Sequence, residues 1–125
     1  MLTKTRIMQI GSVSRKLCHQ YGIITPPDIA LLKYSRMGKQ VNLGFYNRKQ
    51  NTVELNRYTL ELWTLKQITE TVQHELIHAL CYQKYGDSYD GAHDRRFRET
   101  CKDMGICKKI ASATKKDIMM RIRGG

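Results

Sequence analysis

The sequence predicts an α+β domain: a helix at the start, a β-hairpin with a small antiparallel sheet in the middle, and two helices after it. Three observations predict this. Apolar residues recur at three- and four-residue spacing over 5–21 and again over 65–84, side chains alternate over 40–56, and Gly and Pro punctuate the boundaries between them. A chain of 125 residues with 41% hydrophobic content can fill one core, which excludes a disordered chain and leaves two separate cores marginal.

Ile7, Ile10, Val13, Leu17 and Tyr21 form the stripe of the first helix, with Arg6, Arg15, Lys16 and Gln20 largely on other faces. Gly22 stops it, and Pro26-Pro27 opens a new element, because proline cannot continue a helix. Residues 28–35, with Ile29, Leu31, Leu32 and Tyr34, read as a short strand. After Gly38, residues 40–46 alternate, Asn47 to Asn51 is a polar turn, and residues 52–56 alternate again, which together make the hairpin. Asn56 then caps or precedes a short helical turn through Leu60 and Leu62.

The next helix is the best marked. Leu65, Ile68, Val72, Leu76, Ala79, Leu80 and Gln83 lie on one stripe, Thr64 with Gln67 has the capping-box pattern, and Gly86 ends it. Asp87 to Gly91 is a polar loop, and Asp94 to Met104 is a second helix with Phe97 and Cys101 inward. Residues 1–107 form the domain, and 108–125 form a basic tail carrying Lys108, Lys109, Lys115, Lys116, Arg121 and Arg123, helical over Thr114 to Ile122. There is no internal repeat.

Lys and Arg number 22 against 11 Asp and Glu, a formal charge of +11. On a small domain this points to a polyanionic partner, most often nucleic acid, since cations that displace condensed counterions gain affinity. The plainer alternative is a solubility feature. Cys18, Cys81, Cys101 and Cys107 contain no C-x-x-C pair, which argues against a zinc ribbon or a redox pair. Lys4, Arg6 and Gln9 interrupt Met1 to Ile10, so no secretory leader is expected, and no run is long enough to cross a bilayer. Reduced thiols in the cytoplasm of a bacterial or phage-infected cell are the expectation.

The stretch with chemistry in it is His74-Glu75-Leu76-Ile77-His78, an H-E-x-x-H. On a helix, residues four apart share a face one turn apart, so both imidazoles reach a single ion. Glu75 is turned roughly 100° from His74, which sets its carboxylate beside the ion's open position, where it can move a proton from an attacking water to a leaving amine. A chance H-E-x-x-H in a chain this long is on the order of a few in a thousand from average composition, so zinc-dependent peptide hydrolysis outweighs a helix with ordinary surface histidines.

A catalytic zinc needs a third protein ligand. The metzincin spacing would place it at position 84, where Lys84 stands, so that class is excluded. His93, in the loop before the second helix, is one candidate. Glu99, with Asp103 one turn on, is another, in the manner of thermolysin-like gluzincins.

From about Gly38 to Met104 the chain resembles the SprT-like (Spartan-related) zinc metallopeptidase domain. The resemblance rests on Leu43-Gly44-Phe45-Tyr46, Val53-Glu54-Leu55-Asn56, His74 to His78, and Gly91-Ala92-His93-Asp94-Arg95-Arg96-Phe97. It implies a small zincin-like fold, one Zn2+ per chain held by His74, His78 and His93, Glu75 as base, and Phe97 as the anchor of the third-ligand loop. Two departures stand out. Asp94 follows His93 where the family often has Gly, and can instead cap the second helix. The paired cysteines of the zinc ribbon that many members carry are lacking here.

Spartan-like relatives cleave proteins crosslinked to DNA, so the resemblance and the charge together imply DNA-associated substrates. Arg95, Arg96, Arg98, Lys102, Lys108, Lys109, Lys115 and Lys116 are the candidate nucleic-acid contacts, against a solvated helix face and tail. The rivals are a non-catalytic zinc-containing DNA-binding module, which would have no need of Glu75, and a general zinc peptidase independent of DNA. Tyr82, Tyr85 and Tyr89 stand near the site, placed to donate to an oxyanion, stack on bases or simply pack. His19 has no assigned role. A membrane partner is not expected, and the oligomeric state is open.

Overall fold

The computed structural model describes residues 3–32, 44–57 and 64–106. Helix α1 is Lys4–Tyr21, followed by strands β1 (Asp28–Leu32), β2 (Gly44–Asn47) and β3 (Thr52–Asn56), then helices α2 (Leu65–Tyr85) and α3 (Arg95–Asp103), with one 3-10 turn at Gly86–Ser88. The first half of the hairpin's leading strand (40–43), the turn through Leu60 and Leu62, and the basic tail lie outside the described residues.

The helix ends are set by local chemistry. The Thr3 side chain accepts the Arg6 N–H to begin α1, and Gly22, at φ 69°, closes it in the left-handed conformation that suits glycine. The expected capping box begins α2: the Thr64 hydroxyl accepts from Gln67 N–H at 3.2 Å while the Gln67 side-chain Oε1 accepts from Thr64 N–H at 3.1 Å. Asp94 caps α3, accepting from the backbone N–H of Arg96 and Phe97.

The hairpin β2–β3 is antiparallel, with Phe45 opposite Glu54 and Tyr46 opposite Val53. Strand β1 joins β3 in parallel, Ile29 beside Val53 and Leu31 beside Leu55, which gives the order β1-β3-β2. The sheet is therefore mixed rather than wholly antiparallel. Because β2 runs against β3, the chain between β1 and β3 already contains the reversal that lets those two point the same way.

Val53 and Leu55, both fully buried, face α2. Gly44 lies so near that helix that a Cβ there would meet Thr71 Cγ2 at 3.1 Å, and on the neighbouring strand it would meet Leu55 Cδ2 at 3.3 Å. Helix α1 covers α2 from another side with Ile10, Leu17, Cys18 and Tyr21, and α3 from a third with Phe97 and Cys101. Helix α2 is thus the central element, and it buries Ile77 and Cys81 as well as Ile68, Val72, Leu76, Ala79 and Leu80 of the expected stripe, while Leu65 is half-buried. Gln83 is exposed; its carboxamide accepts from Ile24 N–H and donates to the Gly22 carbonyl, tying the end of α2 to the loop after α1. Among the described residues no helix is long and apolar enough to cross a membrane.

Candidate metal centre

Helix α2 presents His74, Glu75 and His78 on the side that looks toward the loop between α2 and α3, and the loop brings His93 back over them. His93 Nε2 lies 3.1 Å from His74 Nε2 and 3.1 Å from His78 Nε2. The three rings offer one ligand atom each, all within 4.8 Å of one another. One proton could bridge only one of the two close nitrogen pairs, whereas a cation drawing on three lone pairs suits all of them. Nitrogens about 2.0 to 2.1 Å from a tetrahedral zinc sit about 3.3 Å apart, close to the spacing seen here. The donor set, three imidazoles and no thiolate, leaves room for a fourth position, and it fits the ion that the motif implies.

Burial shapes the charge of the site. It pushes His74 down to about 4, helped by His93, and His78 down to about 3, helped by His74 and His93. The imidazoles of His74 and His78 are therefore neutral near pH 7, the form that binds metal. Burial acts oppositely on the carboxyl of Glu75, raising it to about 7 while the backbone N–H of Tyr46 works the other way. Glu75 Oε1 lies 3.9 Å from His74 Nε2, beside the imidazole group rather than within it.

Phe97, 2% exposed, is the floor of the site. Its ring centroid lies 5.0 Å from that of His74, 4.6 Å from His78 and 4.7 Å from His93. The Glu99 carboxylate, the other candidate for the third position, instead accepts from Arg95 Nε at 2.8 Å, and Asp103 pairs with Lys84. Among the described residues it is His93 that joins His74 and His78 in a metal-capable group.

The basic residues of α3 divide. Arg98 and Lys102 are exposed, Arg98 donating to the His93 carbonyl at 3.4 Å, and Arg95 is paired with Glu99. Arg96 is turned inward upon its own loop: it donates to Asp94 Oδ2 at 2.6 Å and to the Ser88 carbonyl at 2.6 Å, and its guanidinium lies 5.2 Å above the Tyr89 ring. Lys108, Lys109, Lys115 and Lys116 lie outside the described residues.

Of the three tyrosines, Tyr82 packs against Tyr46 and under the Arg48 guanidinium, and Tyr85 lies beside Arg96. Tyr89 is 1% exposed, and its hydroxyl meets both His78 Nδ1 and the Ala92 carbonyl at 2.8 Å, so it is committed to protein partners rather than aimed at a substrate. Its part in the site was missed from sequence. The available signal was one large aromatic amid Asp87, Ser88, Asp90 and Gly91, a loop otherwise polar.

Solved structures share this architecture. The chain is similar to the metallopeptidase zymogen of Methanocaldococcus jannaschii jannalysin, at 17% identity and a TM-score of 0.65 over 90% of this chain and 96% of that one. It is similar also to the metallopeptidase zymogen of Pyrococcus abyssi abylysin, at 16% identity and a TM-score of 0.62 over 91% of this chain and 95% of that one. At such identities the likeness concerns the fold. No curated protein matches the sequence. The SprT-like family model matches residues 14–117, which span the hairpin, the H-E-x-x-H helix and the His93 loop, and the chain belongs to the SprT-like family of metallopeptidases.

Proposed function

We propose that the chain is a zinc-dependent peptidase with one Zn2+ held by His74, His78 and His93, that Glu75 is its general base, and that it acts on DNA-associated or DNA-crosslinked proteins. The observation that carries the peptidase reading is the convergence of three Nε2 atoms beside a buried carboxylate.

A zinc ion held there supplies Lewis-acid chemistry, polarising a scissile carbonyl and acidifying water. The protein does the rest. Glu75 Oε accepts a proton from the attacking water and delivers it to the leaving amine nitrogen, and its burial tunes it to do both near neutral pH. Among the described residues β2 is an edge of the sheet, so an extended substrate can pair with its outer side as a further strand. Phe97 and the surrounding core exclude water from beneath the imidazoles.

The DNA part of the proposal rests on the +11 charge and on the exposed Arg98 and Lys102. Arg95 and Arg96 are engaged by Glu99 and Asp94, which favours a smaller role for them in any phosphate contact. Three buried free cysteines, Cys18, Cys81 and Cys101, support a reducing, cytoplasmic setting.

The test compares wild type with Glu75→Ala on a protein substrate, free and DNA-bound, at low and moderate salt. Loss of cleavage by about a hundredfold or more, with one zinc per chain retained, is expected from removal of a general base. Cleavage that survives the substitution removes Glu75 from the mechanism, and rates indifferent to DNA leave a general zinc peptidase.

A further inference from the structure

The three ligand candidates are not held alike. His74 and His78 ride on a helix, but the tautomer of His78 and the position of His93 need something more, and both lead to Tyr89. The phenol oxygen lies 2.8 Å from His78 Nδ1 and 2.8 Å from the Ala92 carbonyl oxygen. A carbonyl oxygen only accepts, so the single phenolic proton goes to Ala92. The phenol oxygen is then left as an acceptor, and His78 Nδ1 must carry the hydrogen that it receives. A neutral imidazole protonated at Nδ1 has its lone pair at Nε2, the atom that lies 3.1 Å from His93 Nε2.

The tyrosine is itself fixed in place. It is 1% exposed, its ring meets Tyr82 edge-on at 4.8 Å, and the Arg96 guanidinium covers it at 5.2 Å while donating to Ser88, the preceding residue. Ala92 immediately precedes His93, so a bond to its carbonyl constrains the backbone that carries the third imidazole.

We infer that Tyr89 is a positioning residue of the metal centre: its hydroxyl selects the Nδ1–H tautomer of His78 and anchors the backbone before His93, setting two of the three ligands through one group. The inference rests on the proposed zinc site and adds a residue that acts on the ion only through others.

The experiment measures zinc affinity by competition with a colorimetric chelator, and the visible absorption of the Co2+-substituted protein, for wild type and Tyr89→Phe. Phenylalanine keeps the ring and removes only the hydroxyl. Loss of an outer partner of a metal-binding histidine costs about 10- to 100-fold in affinity, and that loss is expected here together with an altered Co2+ band. A purely structural role would lower the stability of the metal-free chain and leave the Co2+ band of the loaded protein as it was. Affinity within about twofold of wild type with an unchanged band overturns the inference while leaving the zinc site standing. Wild type that binds no zinc overturns both. Should Tyr89→Phe fail to fold, 15N NMR of the zinc-loaded wild type decides: a proton on His78 Nδ1 supports the assignment, and a proton on Nε2 overturns it.

Discussion

The two halves of the metal centre are built by different means. In the α2 half, helical geometry alone places His74 and His78 one turn apart, and the rest of the helix supplies the burial. In the loop half, residues 86–94 have no such repeat, and His93 is held by several separate devices. Asp94 caps α3 behind it, Arg96 bridges Ser88 and Asp94, Tyr89 bonds the Ala92 carbonyl, and Gly91 turns at φ 88° close to the Tyr82 hydroxyl. The difference is one of redundancy. Any strong helix would carry the first two imidazoles, whereas the third depends on contacts that must all be in register.

Phe97 is where the halves meet, and removing it should break the comparison most completely. Its ring touches all three imidazoles and is 2% exposed. Truncating a buried phenylalanine costs about 3–5 kcal/mol, so Phe97→Ala should lose stability on that scale in urea denaturation of the metal-free chain. It should weaken zinc binding as well, because the His93 loop loses its floor. A variant that keeps wild-type zinc affinity at reduced stability would mean that the loop is held without the ring.

The contrast also explains what was legible in the sequence. The stripe Ile68, Val72, Leu76 and Leu80, the Thr64–Gln67 box and the H-E-x-x-H are local patterns, and each is found in the fold as written. The burial of Ile77 on the other side of α2 was not legible, because a stripe marks one packed face and α2 is packed on several. The alternation over 52–56 marks a strand but not its neighbours, so the parallel pairing of β1 had no local signature. Arg96 read as one of a run of cations, and only the folded loop shows that Ser88 and Asp94 take up its guanidinium. His93 could be proposed as a candidate, but Tyr89 could not be assigned to it, since that link passes through the backbone of Ala92 and a turn at Gly91.

The capping box offers a way to sharpen the comparison. Thr64 begins α2 ten residues before the first histidine, and its hydroxyl accepts the Gln67 N–H. Thr64→Ala should cost about 1 kcal/mol, the usual value of such a cap. Zinc affinity of the folded protein should be unaltered, because the turns bearing His74 and His78 are propagated by the helix and packed by Ile68, Val72 and Leu76. Chelator competition read beside urea denaturation separates the two quantities. A parallel fall in both would show that the helical half is less independent of its surroundings than its geometry implies.

The smallest effect is expected at Glu99, where it is nonetheless decisive. Its carboxylate faces outward on α3 and is paired with Arg95 at 2.8 Å, both side chains being largely exposed. Exposed i,i+4 pairs contribute little because water and salt screen them, so Glu99→Ala should leave stability within experimental error. Zinc content should remain that of wild type, while His93→Ala should lose the ion, since two imidazoles on one helix do not complete the set of three ligands. Metal analysis of the two variants side by side is the measurement. Depletion of zinc in Glu99→Ala with retention in His93→Ala would transfer the third position from the loop to helix α3, and the site would then be carried by helices throughout.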